Sequence, residues 1–307
     1  MKYLVTGGAG FIGSHIVERL VSEGQDVTVL DNLSEGKLEN IESVKDKITF
    51  IEGDIQDPET VAGATRDVDI ILHQAGLRSV PQSLKRPKDY NDVNISGTLN
   101  ILEASRVNDV RRIVFASSSS VYGDVREFPE KETILPQPLS PYALSKLAGE
   151  HYLRMYFDLY GLKTVSLRYF NVFGPRQDPA SQYACVIPKF IQAISAGRSP
   201  TIYGDGKQSR DFTFVSNIVD GNLLAAQAAD APGQVFNLAD GEPVSVNDVA
   251  KKINALLGRD VKPAHAEPRK GDVKHTMADP GRARRVLGYH GKISFDEGLK
   301  ITVDWFR

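Results

Sequence analysis

The stretch Gly7-Gly8-Ala9-Gly10-Phe11-Ile12-Gly13 follows the apolar run Tyr3–Thr6 and leads into Ile16, Val17, Leu20 and Val21 at helical spacing. A strand, a glycine turn and a helix in that order make three demands that glycine meets. The turn is tight at Gly7, a pyrophosphate needs close backbone approach near Gly10, and the helix must sit against the strand at Gly13. The helix start also offers unpaired N–H groups to an anion. A second β-rich run, Val27–Leu30, ends in Asp31, eighteen residues after Gly13. A carboxylate there accepts hydrogen bonds from ribose hydroxyls and repels a 2′-phosphate, so the pattern predicts a dinucleotide site that favours NAD over NADP. Asp54, after the run Ile48–Glu52, is either an adenine contact or a turn or helix-capping residue.

Further β-rich runs at Val68–His73, Arg112–Ala116 and Thr164–Tyr169 alternate with segments of helical periodicity. That alternation predicts an α/β fold, a doubly wound parallel sheet of the Rossmann type, joined to a smaller mixed α/β domain. We place the nucleotide-binding domain at 1–170 and the smaller domain at 171–307, leaving segments around 210–240 free to return to the first. Prolines at 175, 179 and 188 and the Gly204-Asp205-Gly206 turn mark the change of pattern. The balance of 37 basic against 39 acidic residues, with neither sign gathered in a tail, argues against a nucleic-acid binder. Apolar stretches reach only five or six residues, so no membrane span is expected. One cysteine, Cys185, and a start without a signal-peptide core point to the cytoplasm. The six histidines include no close pair with metal-ligand spacing, and no metal site is expected.

Tyr142 and Lys146 stand four apart in a helical segment that opens at Pro141, so their side chains share a face. An ammonium beside a phenol, with an oxidised nicotinamide nearby, lowers the phenol pKa and fits it to act as a base toward a sugar hydroxyl. Spacing alone is weak: Tyr203 and Lys207 are also four apart, but a glycine turn separates them. The run Ser117-Ser118-Ser119-Ser120-Val121-Tyr122-Gly123 leaves the Arg112–Ala116 strand at the edge where open α/β sheets bind ligands. A hydroxyl from it can share a hydrogen bond with the sugar hydroxyl that Tyr142 deprotonates.

With these stretches, Arg168–Arg176, Gly204–Phe212 and the segment from Arg269 to Asp279, the chain resembles the extended short-chain dehydrogenase/reductase family over essentially its whole length. Within it, the chain looks most like the UDP-hexose 4-epimerases. The resemblance implies Tyr142 as base, Lys146 on the nicotinamide ribose and Ser118 on the reacting hydroxyl. It implies a tightly held NAD contacted by Gly7, Gly10, Phe11, Ile12, Gly13, Asp31, Asn32, Asp54, Ile55, Ala75, Asn94 and Tyr169, with Asn94 also supporting the active-site helix. For a UDP-sugar it implies Ser119, Arg78, Gln177 and Val186, the diphosphate anchors Asn171, Arg210 and Arg269, Tyr203 on the uracil and Asp272 on its ribose. The implied chemistry is transient oxidation at C4′, rotation of the 4-keto sugar and hydride return, in a homodimer joined through helices near Val93–Arg106 and Tyr142–Tyr160.

Related dehydratases carry Thr-Asp-Glu where this chain has Ser118-Ser119-Ser120, and related decarboxylases carry glutamate at Ser120, so elimination and decarboxylation lack their carboxylates here. Thr276 stands where a bulky tyrosine crowds the 2′ substituent in some 4-epimerases. Together with Cys185 as a pocket wall, it resembles the UDP-N-acetylglucosamine 4-epimerases, whereas Arg78 departs from them. The expectation is therefore use of acetylated and plain UDP-hexoses, with a UDP-glucose 4-epimerase of little N-acetyl activity as the first alternative and a nucleotide-sugar decarboxylase or dehydratase as the second.

Overall fold

A computed structural model describes residues 1–179, 186–268 and 273–307. Six strands form in the first part of the chain: β1 (Lys2–Thr6), β2 (Asp26–Asp31), β3 (Thr49–Glu52), β4 (Ile70–His73), β5 (Arg112–Ser118) and β6 (Lys163–Tyr169). Each lies within two residues of its sequence-predicted start. The seven-stranded sheet is completed by Gln234–Leu238, which pairs with β6. From that edge the order continues β6, β5, β4, β1, β2, β3, and every pairing is parallel. The chain runs outward from β1 to β3, then restarts at β4 on the other side of β1. This reversal leaves a crevice at the carboxyl ends of β1 and β4.

Alternation along the strands divides the core into two layers. Tyr3, Val5, Val27, Val29, Val114 and Ala116 meet Ile16, Val17 and Leu20 of the Phe11–Ser22 helix and Ile218, Val219 and Leu223 of the Val215–Gln227 helix. Leu4, Leu30, Ile71, Ile113 and Phe115 point the opposite way, onto Ile101 and Leu102 of the Gly97–Val107 helix and Leu153 and Tyr156 of the Pro141–Tyr160 helix. Strands buried on both faces read as continuous apolar runs, which is why the sequence exposed them.

The rest of the chain builds its own core around Phe173, Phe190, Phe212, Phe214 and Phe295. Two-stranded pieces frame it: Val172–Phe173 with Thr213–Phe214, Ser209–Asp211 with Pro243–Ser245, and Thr201–Tyr203 with Ala264–Ala266. Among the described residues, no helix is long and apolar enough to cross a membrane.

Candidate active site

A cleft of about 920 Å³ opens over the carboxyl edge of the sheet, lined from Gly7 on one side to Thr276 on the other. Its floor begins at the glycine turn. A Cβ at Gly13 would lie 2.1 Å from the Gly7 carbonyl oxygen, and one at Gly7, whose φ is +67°, would lie 2.7 Å from the Ala75 nitrogen. No side chain fits either place without moving backbone. The Phe11–Ser22 helix starts there with no side chain capping its N–H groups. At the end of β2, Asp31 is buried and accepts from the amides of Ala9 (2.9 Å) and Leu33 (2.8 Å). Burial raises its pKa, which those two amides oppose. Each carboxylate oxygen keeps a lone pair for a ribose hydroxyl. A backbone cradle that excludes any Cβ, an uncapped helix start and an acidic strand end fit the pyrophosphate and adenosine ribose of NAD.

Asn32, Asp54, Ile55 and Ala75 line the same end of the cleft. Asn32 donates to Asp54 at 2.7 Å, and Asp54 also accepts from the Gln56 amide, which is the turn role the sequence allows it. Tyr169 lines the cleft with its hydroxyl donated toward Gln74 and Asn222, and burial pushes its pKa far up. Asn94 bonds both backbone groups of Leu77 and Ser145 Oγ, which supports the active-site helix as expected. It lies in a π-helical turn, Asn91–Ser96, and ties the cleft rim to the Pro141–Tyr160 helix. Beneath the site, buried His73 bridges Thr6 and Thr98, and desolvation followed by the Lys146 charge lowers its pKa to about 3. It is a neutral structural group.

The Pro141–Tyr160 helix is set by local chemistry: Ser140 caps the Ala143 amide, Pro141 occupies the first turn, and Gly161 closes the helix in the left-handed conformation. Tyr142 and Lys146 both line the cleft from this helix. The Tyr142 ring meets Tyr90 edge-on at 6.3 Å. Lys146 is buried, donates to the Ala116 carbonyl at 2.9 Å and lies 5.0 Å from the centre of the Phe115 ring. Desolvation lowers its pKa to about 8, which leaves it cationic at neutral pH. Ser118 accepts from the Ser120 amide and hydroxyl at 3.2 and 2.9 Å, so its own proton is free to point elsewhere. By contrast, Tyr203 ends a strand and Lys207 follows a turn, which separates that pair.

Across the cleft stand Asn171, Gln177, Val186, Tyr203, Arg210 and Thr276. Asn171 donates to the Asp211 carbonyl and to Thr276 Oγ1. Gln177 is buried, donates to the Val172 carbonyl and keeps Oε1 without a partner. Arg78 lines the rim and pairs with Glu35 at 3.2 Å. Cys185, Arg269 and Asp272 lie outside the described residues.

Sequence reasoning missed Glu130, a buried carboxyl in the cleft wall whose backbone pairs with Met277 and Asp279. No periodicity marks it, since it lies in a loop. Desolvation, with Asp211 nearby, raises its pKa to about 8 against the lowering by Arg168 and Arg210. Folding therefore binds its proton more tightly, and the stability present at low pH is lost as pH rises from about 4.5 to about 8. Glu130→Gln is expected to gain on wild type by about 2–3 kcal/mol between pH 5.5 and 8.5. Calorimetric Tm values of both proteins at the two pH values check this. A constant gap between them would sink it.

Residues 3–239 match the model of the NAD dependent epimerase/dehydratase family. The chain is 40% identical to a UDP-glucose 4-epimerase of Mycolicibacterium smegmatis, over 100% of this chain and 99% of that protein. Among solved structures it is similar to the UDP-N-acetylglucosamine 4-epimerase of Methanobrevibacter ruminantium in complex with UDP-N-acetylmuramic acid. The TM-score is 0.95 and the identity 42%, covering 99% of this chain and 97% of that one. It is also similar to the Thermus thermophilus UDP-glucose 4-epimerase complex with NAD, with a TM-score of 0.92 and 40% identity over 100% and 99% of the two chains. A glycine cradle, an acidic strand end and a Tyr–Lys pair in one cleft agree with these matches: the chain belongs to the NAD dependent epimerase/dehydratase family, and NAD is its cofactor.

Proposed function

We propose that the protein is a 4-epimerase of UDP-sugars that interconverts UDP-N-acetylglucosamine with UDP-N-acetylgalactosamine and also accepts UDP-glucose and UDP-galactose. The observation that carries this reading is the placement of Tyr142, Lys146 and Ser118 in the same cleft as the cofactor glycines, with Thr276 in the facing wall. Tyr142 takes the proton from the 4′ hydroxyl and later returns it, while Ser118 shares that hydroxyl and fixes its direction. NAD, when bound, supplies the hydride acceptor and donor. Arg210 and Asn171 hold the diphosphate, with Arg269 as a third anchor, since a guanidinium offers paired donors to phosphate oxygens. Tyr203 and Asp272 take the uridine. Gln177 Oε1, buried and unpartnered, accepts from a substrate hydroxyl or amide. Serines at 119 and 120 leave dehydration and decarboxylation without their acid and base.

The test is incubation of the purified protein with UDP-N-acetylglucosamine, and separately with UDP-glucose, resolving the 4′ epimers by NMR. Conversion of both is expected. Conversion of UDP-glucose alone would overturn the pocket argument from Thr276. In the Thr276→Tyr variant, turnover of the acetylated sugar is expected to fall by at least about tenfold relative to UDP-glucose, because a ring in that wall takes the volume of the acetamido group. An unchanged ratio of the two rates would remove Thr276 from the specificity site. The same reading makes the enzyme a cytoplasmic homodimer, the dimer supported by the exposed apolar side chains Leu144, Met155 and Leu159 on the Pro141–Tyr160 helix and Val107 at the end of the Gly97–Val107 helix.

A further inference from the structure

Tyr142, Lys146 and Glu150 follow one another at four-residue intervals along the Pro141–Tyr160 helix, so their side chains climb one face. The first two reach the cleft. Glu150, one turn further on, is 5% exposed and sits behind it. Its carboxylate takes Nε and Nη2 of Arg168 at 2.9 and 2.7 Å, a paired contact, and Ser117 Oγ at 2.5 Å. Arg168, next to last in β6, lays its guanidinium 4.6 Å from the centre of the Tyr122 ring. Its Nη1 has no hydrogen-bond partner, and the ring face is the compensating contact. The Tyr122 hydroxyl is anchored in turn on Asn237 at 2.7 Å.

The serine run is thus gripped at both ends by a single buried ion pair, Ser117 on the carboxylate and Tyr122 under the guanidinium. Ser118, Ser119 and Ser120 lie between the two grips. Side chains alternate along β5: Phe115 and Ser117 point toward the long helix, while Ser118 closes the strand and caps the turn that follows. A shift of Ser117 relative to Glu150 therefore moves Ser118 relative to Tyr142. Buried ion pairs are on average no more stabilising than apolar pairs of the same volume, so stability alone does not account for this one.

We propose that Glu150, paired with Arg168, is a positioning residue that fixes Ser118 against Tyr142 by clamping both ends of the serine run. Its effect on turnover rests on the epimerase reading above; its effect on the loop does not. The experiment uses NAD-loaded wild type, Glu150→Gln and Ser117→Ala. It measures kcat, KM, the pH profile of kcat, bound NAD and amide exchange by mass spectrometry. In Glu150→Gln, kcat is expected to fall about 10- to 100-fold, the scale of an ångström-sized misplacement. KM and bound NAD stay within about threefold, the pH profile keeps its shape because Glu150 moves no proton, and exchange at 117–123 quickens while β1 and β2 are unchanged. Ser117→Ala, which cuts one grip and leaves the ion pair, shows the same pattern more weakly and serves if the first variant does not fold. Unchanged exchange at 117–123 overturns the proposal whatever the activity, as does a kcat within twofold of wild type. If wild type converts neither sugar, the epimerase reading fails and the exchange result alone decides the clamp.

Discussion

Tyr142→Phe is expected to lower kcat on either UDP-sugar by about 10²–10⁴-fold, the usual contribution of a positioned acid–base group. The variant removes one oxygen and keeps the ring that meets Tyr90 edge-on at 6.3 Å. The helix it stands on is capped by Ser140 and Gly161, and Lys146 keeps its bond to the Ala116 carbonyl. Fold and bound NAD should therefore survive, and the loss should fall on kcat with KM little changed. Epimer formation by NMR, nucleotide released by acid and the thermal midpoint form the measurement. Activity within tenfold of wild type would mean that another group takes the proton, and Ser118 would be the next residue to test.

Gly13→Val attacks the other half of the chemistry and should abolish it more completely. Its Cβ alone would stand 2.1 Å from the Gly7 carbonyl oxygen and 2.8 Å from the Gly8 Cα, both backbone atoms. The helix must back away from the turn, and its N–H groups leave the place where the pyrophosphate binds. A displacement costing about 3 kcal/mol already lowers NAD affinity about 100-fold. The expected protein carries no nucleotide as purified, shows no epimerase activity, and regains little with millimolar NAD. Retention of stoichiometric nucleotide would show that the glycine turn yields more easily than its contacts imply.

The parts of this molecule that were legible from sequence are those where one residue type is forced by backbone geometry or by repetition. Gly7 and Gly13 admit nothing else, and Asp31 follows them at the distance one crossover sets. The strands up to β6 appear as apolar runs because both faces are covered. Gln234–Leu238 reads Gln-Val-Phe-Asn-Leu, with polar residues at two of five places, because Asn237 is engaged with Tyr122 and Glu130 and not merely packed. The sequence leaves segments around 210–240 free to return to the first domain, but for that reason does not mark which strand returns or that it pairs with β6. The resemblance makes Asn94 a support of the active-site helix, and its hydrogen bonds add the second segment it braces, around Leu77. Arg78 lines the cleft rim, and its ion pair with Glu35, forty-three residues away in sequence, has no local signal. Glu130 carries no local signal, and the spacing that puts Glu150 on the face of Tyr142 and Lys146 does not say which distant segments it meets.

The pairing of Gln234–Leu238 with β6 also bears on how this fold can be recombined. Everything between Tyr169 and Gln234 leaves the sheet from one strand and must come back to its immediate neighbour, in parallel, by a crossover. That segment is an insertion tied to the sheet at both ends and by the Val215–Gln227 helix packed on it, and not a tail added to a finished sheet. A chimera that exchanges this segment would have to preserve both junctions at opposite ends of one parallel ladder, about 13 Å apart along the strands, since Gln234 pairs with Val165 and Leu238 with Tyr169; the wall that carries Thr276 lies after it. Cutting after Tyr169 would expose the open flank of β6, a template for pairing with other chains as ribosomes release the product.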